Sequence, residues 1–186
     1  MKRKMVYLIV FLVFLTVFFG CEQKPHQGFY ARQKKIAAPM FPAQDYANIL
    51  VTRAVDGDTL VLENGQRVRL IGIDTPEMHE SAKLLRDSRR MQQDVETIKA
   101  LGRRAYKFTR ELVEGKRVRL EFDVQRYDKY NRLLAYVYLE DGTFVNAEIV
   151  RQGYASLMTY PPDVKYADLF LKLYQEAREN NRGLWK

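Results

Sequence analysis

Three carboxylates and one arginine lie within a short stretch of this chain, and together they could assist chemistry on a phosphate. Asp58, Asp74 and Glu77 flank Arg69 in residues 56–77, which read DGDTLVLENGQRVRLIGIDTPE. Carboxylate oxygens are the ligands that hard divalent cations prefer, and a guanidinium presents paired donors that suit a phosphate group. The combination indicates a metal-assisted phosphodiesterase.

An Asn64-Gly65 pair lies between the two acidic clusters, and it predicts how they come together. Runs rich in Val, Leu and Ile flank the pair on both sides. Asn-Gly suits the positive backbone dihedrals of a two-residue hairpin turn. We therefore expect two strands to fold back here and to gather the carboxylates at one end of a sheet.

Composition limits the class of protein and its partners. The chain has 186 residues, of which 47% are hydrophobic and 29% charged, and this predicts one globular domain with a segment attached at an end. The net charge of +8 indicates a polyanionic partner, either nucleic acid or an anionic membrane surface. The single cysteine, Cys21, excludes an intrachain disulfide.

Residues 1–21 are typical of an export signal. Basic residues at positions 2–4 precede an unbroken apolar run that ends in Gly20-Cys21. This ending resembles the processing site of bacterial lipoproteins, in which the cysteine is lipidated and becomes the mature N-terminus. We expect an exported protein that is anchored to a membrane through Cys21, with its main domain outside the cytoplasm. An uncleaved membrane anchor and ordinary signal cleavage are the alternatives.

The remainder divides into a tether and a domain. Residues 22–47 show no sustained periodicity and contain three prolines, which predicts a flexible tether. Residues 48–186 contain about five short runs with strand character, including the strictly alternating RVRLEF at residues 117–122. This pattern predicts an α+β fold, mainly β: a five-stranded Greek-key barrel of the OB type flanked by about three to four helices.

Helical periodicity places those helices. Residues 79–101 carry one apolar stripe, and a second helix is predicted between Gly102 and Gly115. A short helix is expected to end at Gly153. The last helix is predicted from Asp163, as its N-cap, to about residue 180.

Four motifs together carry a resemblance to a known family. They are VDGDT, RLIGIDTPE, YDKYNRLLAYVY and VNAEIVRQGYA. In this order and separation they resemble the staphylococcal nuclease family over roughly residues 48–186. The resemblance implies a five-stranded OB barrel and a calcium-dependent phosphodiesterase that acts on DNA and RNA.

The resemblance also implies a metal site. Asp58 and Asp74 match the carboxylate ligands of the family's calcium ion, and Thr75 matches the residue that lends its backbone carbonyl. Calcium accepts several oxygen ligands in loose geometry, so a phosphate oxygen and waters would complete the shell.

Three further residues match the family's catalytic groups. Glu77 corresponds to the glutamate that activates or positions the attacking water. Arg69 and Arg132 correspond to the two arginines that bind the scissile phosphate.

Several neighbours are secondary candidates. Tyr130 and Tyr160 match tyrosines beside the nucleotide, although rim or core tyrosines are the alternative. Lys129 is a candidate contact to a substrate phosphate, with a solvated loop lysine as the alternative. Asp56 is expected to support the metal ligands from outside, or else to be a turn residue before Gly57.

The chain departs from the family's usual pattern in two places. Residues 78–101 form a longer segment than we expect after the catalytic glutamate, and it could cover the cleft and limit access by long duplexes. Asn131 stands where glycine is common, but asparagine tolerates the left-handed conformation that the turn needs.

Two functions from other classes stay open at this point. One is a non-catalytic OB module that binds single-stranded nucleic acid through its basic rim and aromatic residues. The other is a lipoprotein whose acidic cluster binds calcium only to stabilise the fold.

Overall fold

The computed structural model describes residues 45–91 and 94–186. The predicted signal segment 1–21 with Cys21, and the predicted tether up to residue 44, lie outside the described residues. Tyr46, at the end of the predicted tether, is buried, and its hydroxyl donates a hydrogen bond of 2.7 Å to Gln66 Oε1.

The described part of the chain forms strands, four α-helices and a final short 3₁₀ turn. The strands are β1 (Ile49–Ala54), β2 (Thr59–Leu62), β3 (Arg67–Leu70), β4 (Gly72–Asp74), β5 (Arg117–Glu121), β6 (Leu133–Leu139) and β7 (Ser156–Met158). The helices are α1 (Ala82–Met91), α2 (Val95–Val113), α3 (Val145–Arg151) and α4 (Ala167–Glu179).

Five of the strands close a barrel in the order β1-β2-β3-β6-β5. Strands β3 and β6 pair in parallel, and the other neighbours are antiparallel. Alternation explains the core, since Val118 and Leu120 of β5 are buried while Arg117 and Arg119 are exposed. The predicted fold class, a five-stranded α+β barrel of the OB type with helices around it, is confirmed.

A second, two-stranded sheet pairs β4 with β7 and was not predicted. The run after Asn64-Gly65, QRVRLIGI, was predicted as one strand, but it divides into β3 and β4 because the chain turns at Gly72, whose φ is +82°. A Cβ on Gly72 would lie 2.5 Å from the Phe170 ring of α4, so no larger residue fits there. Three-residue strands are too short to give a recognisable alternation.

The hairpin between β2 and β3 is real, but the predicted two-residue turn is wrong. Leu62 N donates to Gln66 O at 3.0 Å, which leaves Glu63, Asn64 and Gly65 as a three-residue loop. Only Gly65 of this loop has a positive φ, at +80°. A type I turn followed by a left-handed glycine is the usual form of such a loop.

The predicted boundary between the first two helices is also wrong. Helix α1 ends at Met91, and α2 begins after Asp94, whose carboxylate accepts a hydrogen bond of 2.8 Å from Thr97 N. Helix α2 then passes through Gly102 and ends at Val113, with Gly115 at φ +74° just beyond it as predicted. The sequence pattern treated Gly102 as a helix break, whereas its missing side chain serves close packing.

The last helix starts later than predicted. Asp163 does not cap α4, which begins at Ala167; instead its buried carboxylate accepts a hydrogen bond of 2.8 Å from Gln125 N. The helix buries Phe170 and Ala177 against the core. Helix α3 precedes Gly153, whose φ is +75°.

Helix α2 contacts both of the turns that carry acidic residues. The buried Thr109 hydroxyl donates a hydrogen bond of 2.8 Å to the carbonyl of Gly57, next to Asp58. Two turns earlier on the helix, a Cβ on Gly102 would lie 2.6 Å from the carbonyl carbon and oxygen of Glu77. One rigid helix therefore fixes the positions of the two turns relative to each other.

Within the described residues, none of the helices has the length and apolar character needed to cross a membrane.

Replacing Gly102 with alanine should move the backbone that carries Glu77. Alanine is favoured over glycine inside a helix by about 0.5–1 kcal/mol. Here the added methyl group meets backbone atoms, which cannot rotate away, and overpacking of this kind costs about 1–3 kcal/mol. We expect Gly102→Ala to lower the free energy of unfolding in urea and to lower the rate of any cleavage reaction that uses Glu77.

Lys107→Ala is the matched control, because Lys107 is exposed on the same helix. Lys107→Ala should change neither the free energy of unfolding nor the cleavage rate measurably. A Gly102→Ala protein that is more stable than the parent and equally active would show that this contact does not position Glu77.

Candidate active site

One cleft at the end of the barrel contains almost every residue predicted to do chemistry. Its volume is about 750 Å³. It is lined by the predicted residues Asp56, Asp58, Arg69, Asp74, Glu77, Lys129, Tyr130, Arg132 and Tyr160. Thr75 does not line the cleft surface but is bonded to Asp58 beneath it.

The topology of the barrel explains this convergence. Asp56 and Asp58 lie in the turn between β1 and β2, and Arg69 of β3 pairs in register with Thr59. Because β3 and β6 are parallel, with Val68 opposite Leu133, Arg132 lies at the start of β6, and its Nη1 donates to Oγ1 of Thr59, the residue opposite Arg69, at 3.4 Å. Residues more than fifty positions apart in sequence thus meet at one barrel end.

Arg69 is at the centre of the buried charges. Its guanidinium forms ion pairs with Asp58 and with Asp74, and Nη2 donates to Asp74 Oδ1 at 3.0 Å. The Arg69 side chain is only 12% exposed. Burial lowers the pKa of Arg69 from its ordinary value, while the negative charges of Asp74 and Asp56 oppose this shift.

Asp58 is fixed by the residue that follows Asp74. Its Oδ2 accepts hydrogen bonds from Thr75 N at 2.9 Å and from Thr75 Oγ1 at 3.1 Å. A Cβ on Gly57 would lie 2.7 Å from the Thr75 side chain, so the two loops are in close contact. These contacts hold Asp58 and Asp74 in a constant relative position.

Asp56 is a turn residue before Gly57, which was the alternative to a role in supporting the metal ligands. Its Oδ1 accepts a hydrogen bond of 3.0 Å from Asp58 N, which shapes the turn. Burial raises the pKa of the Asp56 carboxyl, against the charge of Arg69, which lowers it. Asp56 also lines the cleft, and its support of a metal site stays a prediction.

Arg132 is oriented by Asp128, a residue that the sequence analysis did not select. Asp128 Oδ2 accepts hydrogen bonds from Arg132 Nε at 2.8 Å, and Nη2 lies 2.7 Å from the same oxygen. Asp128 Oδ1 accepts bonds from the backbone N–H groups of Tyr130 and Arg132 at 2.9 and 3.0 Å. One carboxylate therefore shapes the turn and holds the guanidinium, and Asn131 has the expected left-handed φ of 59°.

Three exposed tyrosines line the cleft. Tyr130 is 68% exposed, Tyr160 69% and Tyr127 44%. Lys129 Nζ lies 5.0 Å from the Tyr130 ring centre. Exposed aromatic rings beside a cation suit stacking with nucleic-acid bases, but the predicted contacts of Tyr130, Tyr160 and Lys129 with substrate stay predictions.

The chemistry of the donor set fits a hard cation such as calcium. Asp58 and Asp74 both converge on the Arg69 guanidinium, so their carboxylates are close enough to share one cation. Thr75 follows Asp74 directly and can add a carbonyl oxygen. Two carboxylates alone do not complete a metal site, and among the described residues no set of three or more His, Cys, Asp or Glu side chains is placed to hold a metal ion. Water and substrate oxygens would therefore have to supply the rest of the shell.

The sequence patterns did not identify the residues that position the charged groups, nor two further residues that line the cleft. Asp128 was recognisable in principle, because an aspartate three positions before a left-handed asparagine is typical of a turn. Tyr127 and Arg86 also line the cleft and were not selected, because Tyr127 is one of 12 tyrosines in the chain and Arg86 is one of many basic residues in a predicted helix. No local pattern shows that Gly102 and Thr109 contact the acidic turns.

Replacing Asp128 with asparagine should disconnect Arg132 while keeping the turn. The amide oxygen can still accept the backbone bonds, but the amide NH₂ cannot accept from Arg132 Nε. Burial raises the pKa of Asp128, but the hydrogen bonds and charge of Arg132 outweigh it and hold the pKa below its usual value. The pair therefore stabilises the fold above about pH 4, and this stabilisation is lost as pH falls through the lower folded pKa.

We expect Asp128→Asn to be less stable than the parent by about 1 kcal/mol at pH 7, and the difference to shrink at lower pH, in urea unfolding at several pH values. Its activity on a phosphodiester should fall about tenfold or more, since a charged hydrogen bond orients Arg132. Asp141→Asn, in a hairpin outside the cleft, is the control that leaves activity unchanged. Equal activity in both variants would contradict the role of Asp128.

Comparison with known proteins agrees with the family resemblance seen in the sequence. Residues 67–186 match the model of the family described as "Staphylococcal nuclease homologue". This match includes Arg69, Asp74, Thr75, Glu77 and Arg132, and it starts after Asp58.

Curated relatives extend the match further along the chain. A thermonuclease of Staphylococcus intermedius is 37% identical over 140 residues, covering 74% of this chain and 75% of that protein. Endonuclease YncB of Bacillus subtilis is 34% identical over 169 residues, covering 88% of this chain and 69% of that protein. A thermonuclease of Staphylococcus hyicus is 30% identical over 138 residues, covering 73% of each chain. With its five-stranded barrel and the charged cleft at one end, the chain belongs to the staphylococcal nuclease family and is a nuclease.

Proposed function

We propose that this nuclease is a calcium-dependent phosphodiesterase that hydrolyses both DNA and RNA, and that it is exported and tethered to a membrane. The observation that carries the catalytic part is that Asp58 and Asp74, which both pair with Arg69, line a single cleft together with Glu77 and Arg132. The relatives named as thermonucleases and an endonuclease support hydrolysis within a nucleic-acid chain.

Asp58, Asp74 and the Thr75 carbonyl are the groups that would hold the cation. The chemistry that calcium supplies when bound is charge neutralisation at the phosphodiester and support of the charge that develops at phosphorus. An oxygen-only donor set of two carboxylates and a carbonyl suits calcium better than zinc or copper, which prefer nitrogen and sulfur ligands.

Glu77 is assigned as the base. A carboxylate in the cleft can accept a proton from a water molecule as the water oxygen attacks phosphorus; the bond from phosphorus to the leaving ester oxygen then breaks, and that oxygen takes up a proton from water. Helix α2 fixes the backbone of Glu77 through Gly102, so the carboxylate starts from a defined position. The negative charge that the reaction creates then lies near two guanidinium groups.

Arg69 and Arg132 are assigned to the scissile phosphate. Each stays protonated at working pH and can donate two parallel hydrogen bonds to non-bridging phosphate oxygens. Both are already oriented by carboxylates, Arg69 by Asp58 and Asp74 and Arg132 by Asp128. Arg132, which is held by a carboxylate that is not assigned to the cation, is preorganised to stabilise the transition state without reorganisation during the reaction, whereas Arg69 shares its two carboxylates with the cation.

Calcium dependence is tested on the full-length protein with single-stranded DNA, duplex DNA and RNA. We expect cleavage of all three with calcium and loss of cleavage when a chelator removes it. Glu77→Gln should lower kcat by about 100-fold or more while binding of the nucleic acid persists. Glu80→Gln is the matched control, because Glu80 is 88% exposed and three positions further along the chain.

Two results would contradict this proposal. Cleavage that continues in the chelator would remove calcium from the mechanism. A Glu77→Gln protein as active as Glu80→Gln would remove Glu77 from its role as the base.

The membrane tether is proposed from the sequence alone, since residues 1–21 lie outside the described residues. A basic start, an apolar run and Gly20-Cys21 support export and lipidation at Cys21. A lipid chain on Cys21 would leave the segment that begins at residue 22 as the tether to the nuclease domain, in which Tyr46 already packs.

The test compares the parent with Cys21→Ser in a bacterial host, by membrane fractionation and by mass spectrometry of the N-terminus. The parent should be in the membrane fraction with a lipid on Cys21, and the variant should keep its signal segment and carry no lipid. Identical N-termini that start at residue 1 would instead support the uncleaved anchor, and identical N-termini without a lipid that start further along the chain would support ordinary signal cleavage.

A further inference from the structure

Helix α1 adds a positive charge to the cleft beyond the residues assigned to the scissile phosphate. Arg86 of α1 lines the cleft together with Ser81, on the same segment that follows Glu77. Because α1 comes from residues 78–101, Arg86 belongs to the part of the chain that is longer than we expected from the family pattern.

The helix is anchored so that Arg86 keeps its place. Ser81 Oγ accepts a hydrogen bond of 3.0 Å from Leu84 N and so caps the first turn. Leu84 is 1% exposed, and α1 packs against α2. Arg86 follows Leu84 by two positions, about 200° around the helix, so burial of Leu84 leaves Arg86 on an exposed side.

Arg86 differs from the other two arginines of the cleft in its ion pairs. Arg69 is paired with Asp58 and Asp74, and Arg132 is paired with Asp128. Within residues 45–91 and 94–186, no described side chain forms an ion pair with Arg86. The Arg86 guanidinium is therefore exposed and forms no ion pair with a described side chain. It faces a cleft that receives a polyanion, so it is suited to bind a phosphate.

We propose that Arg86 binds a non-scissile phosphate of the substrate strand, and that α1 thereby makes the enzyme favour extended nucleic-acid chains over minimal substrates. The scissile phosphate is assigned to Arg69 and Arg132, so a third arginine on the α1 side of the cleft meets a neighbouring phosphate. This inference rests on the proposed function, in which Arg69 and Arg132 bind the scissile phosphate.

The test measures kcat and KM of the full-length protein with three substrates. The first is a dinucleotide with one phosphodiester, and the second is a single strand of about twelve nucleotides. The third is the same strand with neutral methylphosphonate linkages everywhere except one cleavable position. Arg86→Gln is compared with Arg89→Gln, whose side chain is exposed on the same helix and does not line the cleft.

We expect Arg86→Gln to raise KM for the charged strand about fivefold to tenfold with little change in kcat. It should also reduce the slope of log kcat/KM against log salt by about one. The dinucleotide and the strand with neutral flanks should show no difference between Arg86→Gln and the parent. Arg89→Gln should behave like the parent on all three substrates.

Each contrary result has a defined meaning. Equal losses in Arg86→Gln and Arg89→Gln, or no loss in either, would overturn the proposal, because the charge at position 86 would then have no specific role. A loss on the dinucleotide as large as that on the strand would place Arg86 at the scissile phosphate or in folding, which also overturns it. A parent protein that cleaves none of the substrates would instead refute the proposed function.

Discussion

The shared burial of Arg69 with Asp58 and Asp74 constrains the rest of the cleft. A buried guanidinium without partners would be costly, and two carboxylates close to one another without a cation would repel. The three groups stabilise one another only if the β1–β2 turn, β3 and β4 hold fixed relative positions. Barrel hydrogen bonds fix β3, and Thr75 joins the two acidic loops through Asp58. Burial of charge, which by itself works against stability, is thus made tolerable by rigid surroundings.

Helix α2 extends this rigidity to the residue assigned as the base. Thr109 bonds to Gly57 on one acidic turn, and Gly102 packs on the backbone of Glu77 on the other. Seven residues of helix span about 10 Å, so the two contacts set a fixed separation that neither loop could maintain alone. The base and the carboxylates are therefore positioned by a helix that contributes no catalytic side chain of its own.

Sequence patterns predicted the barrel because burial on one face of each strand leaves a period of two, as in residues 117–122. They placed Arg69, Asp74 and Glu77 near one another because these residues are close in the chain. Arg132 required the family motif, since parallel pairing of β3 with β6 leaves no local signal.

The three-residue strands β4 and β7 were missed because they are too short for a pattern. Gly102 was misread because a glycine that breaks a helix and one that allows close packing look alike in sequence. The Asp163 prediction was wrong because tertiary bonding to Gln125 competes with capping.

The parallel pairing of β3 with β6 also has a consequence for engineering. The connection between them includes α1, α2 and β5, yet the distance between Arg69 and Arg132 is set by strand register and does not depend on the length of that connection. Loop-closure entropy rises only slowly with length. The segment that precedes α2 can therefore be shortened, extended or exchanged at little cost to the barrel, provided that α2 keeps its two contacts. The frame that holds the reacting groups is thus separate from helix α1, and the two can be redesigned independently.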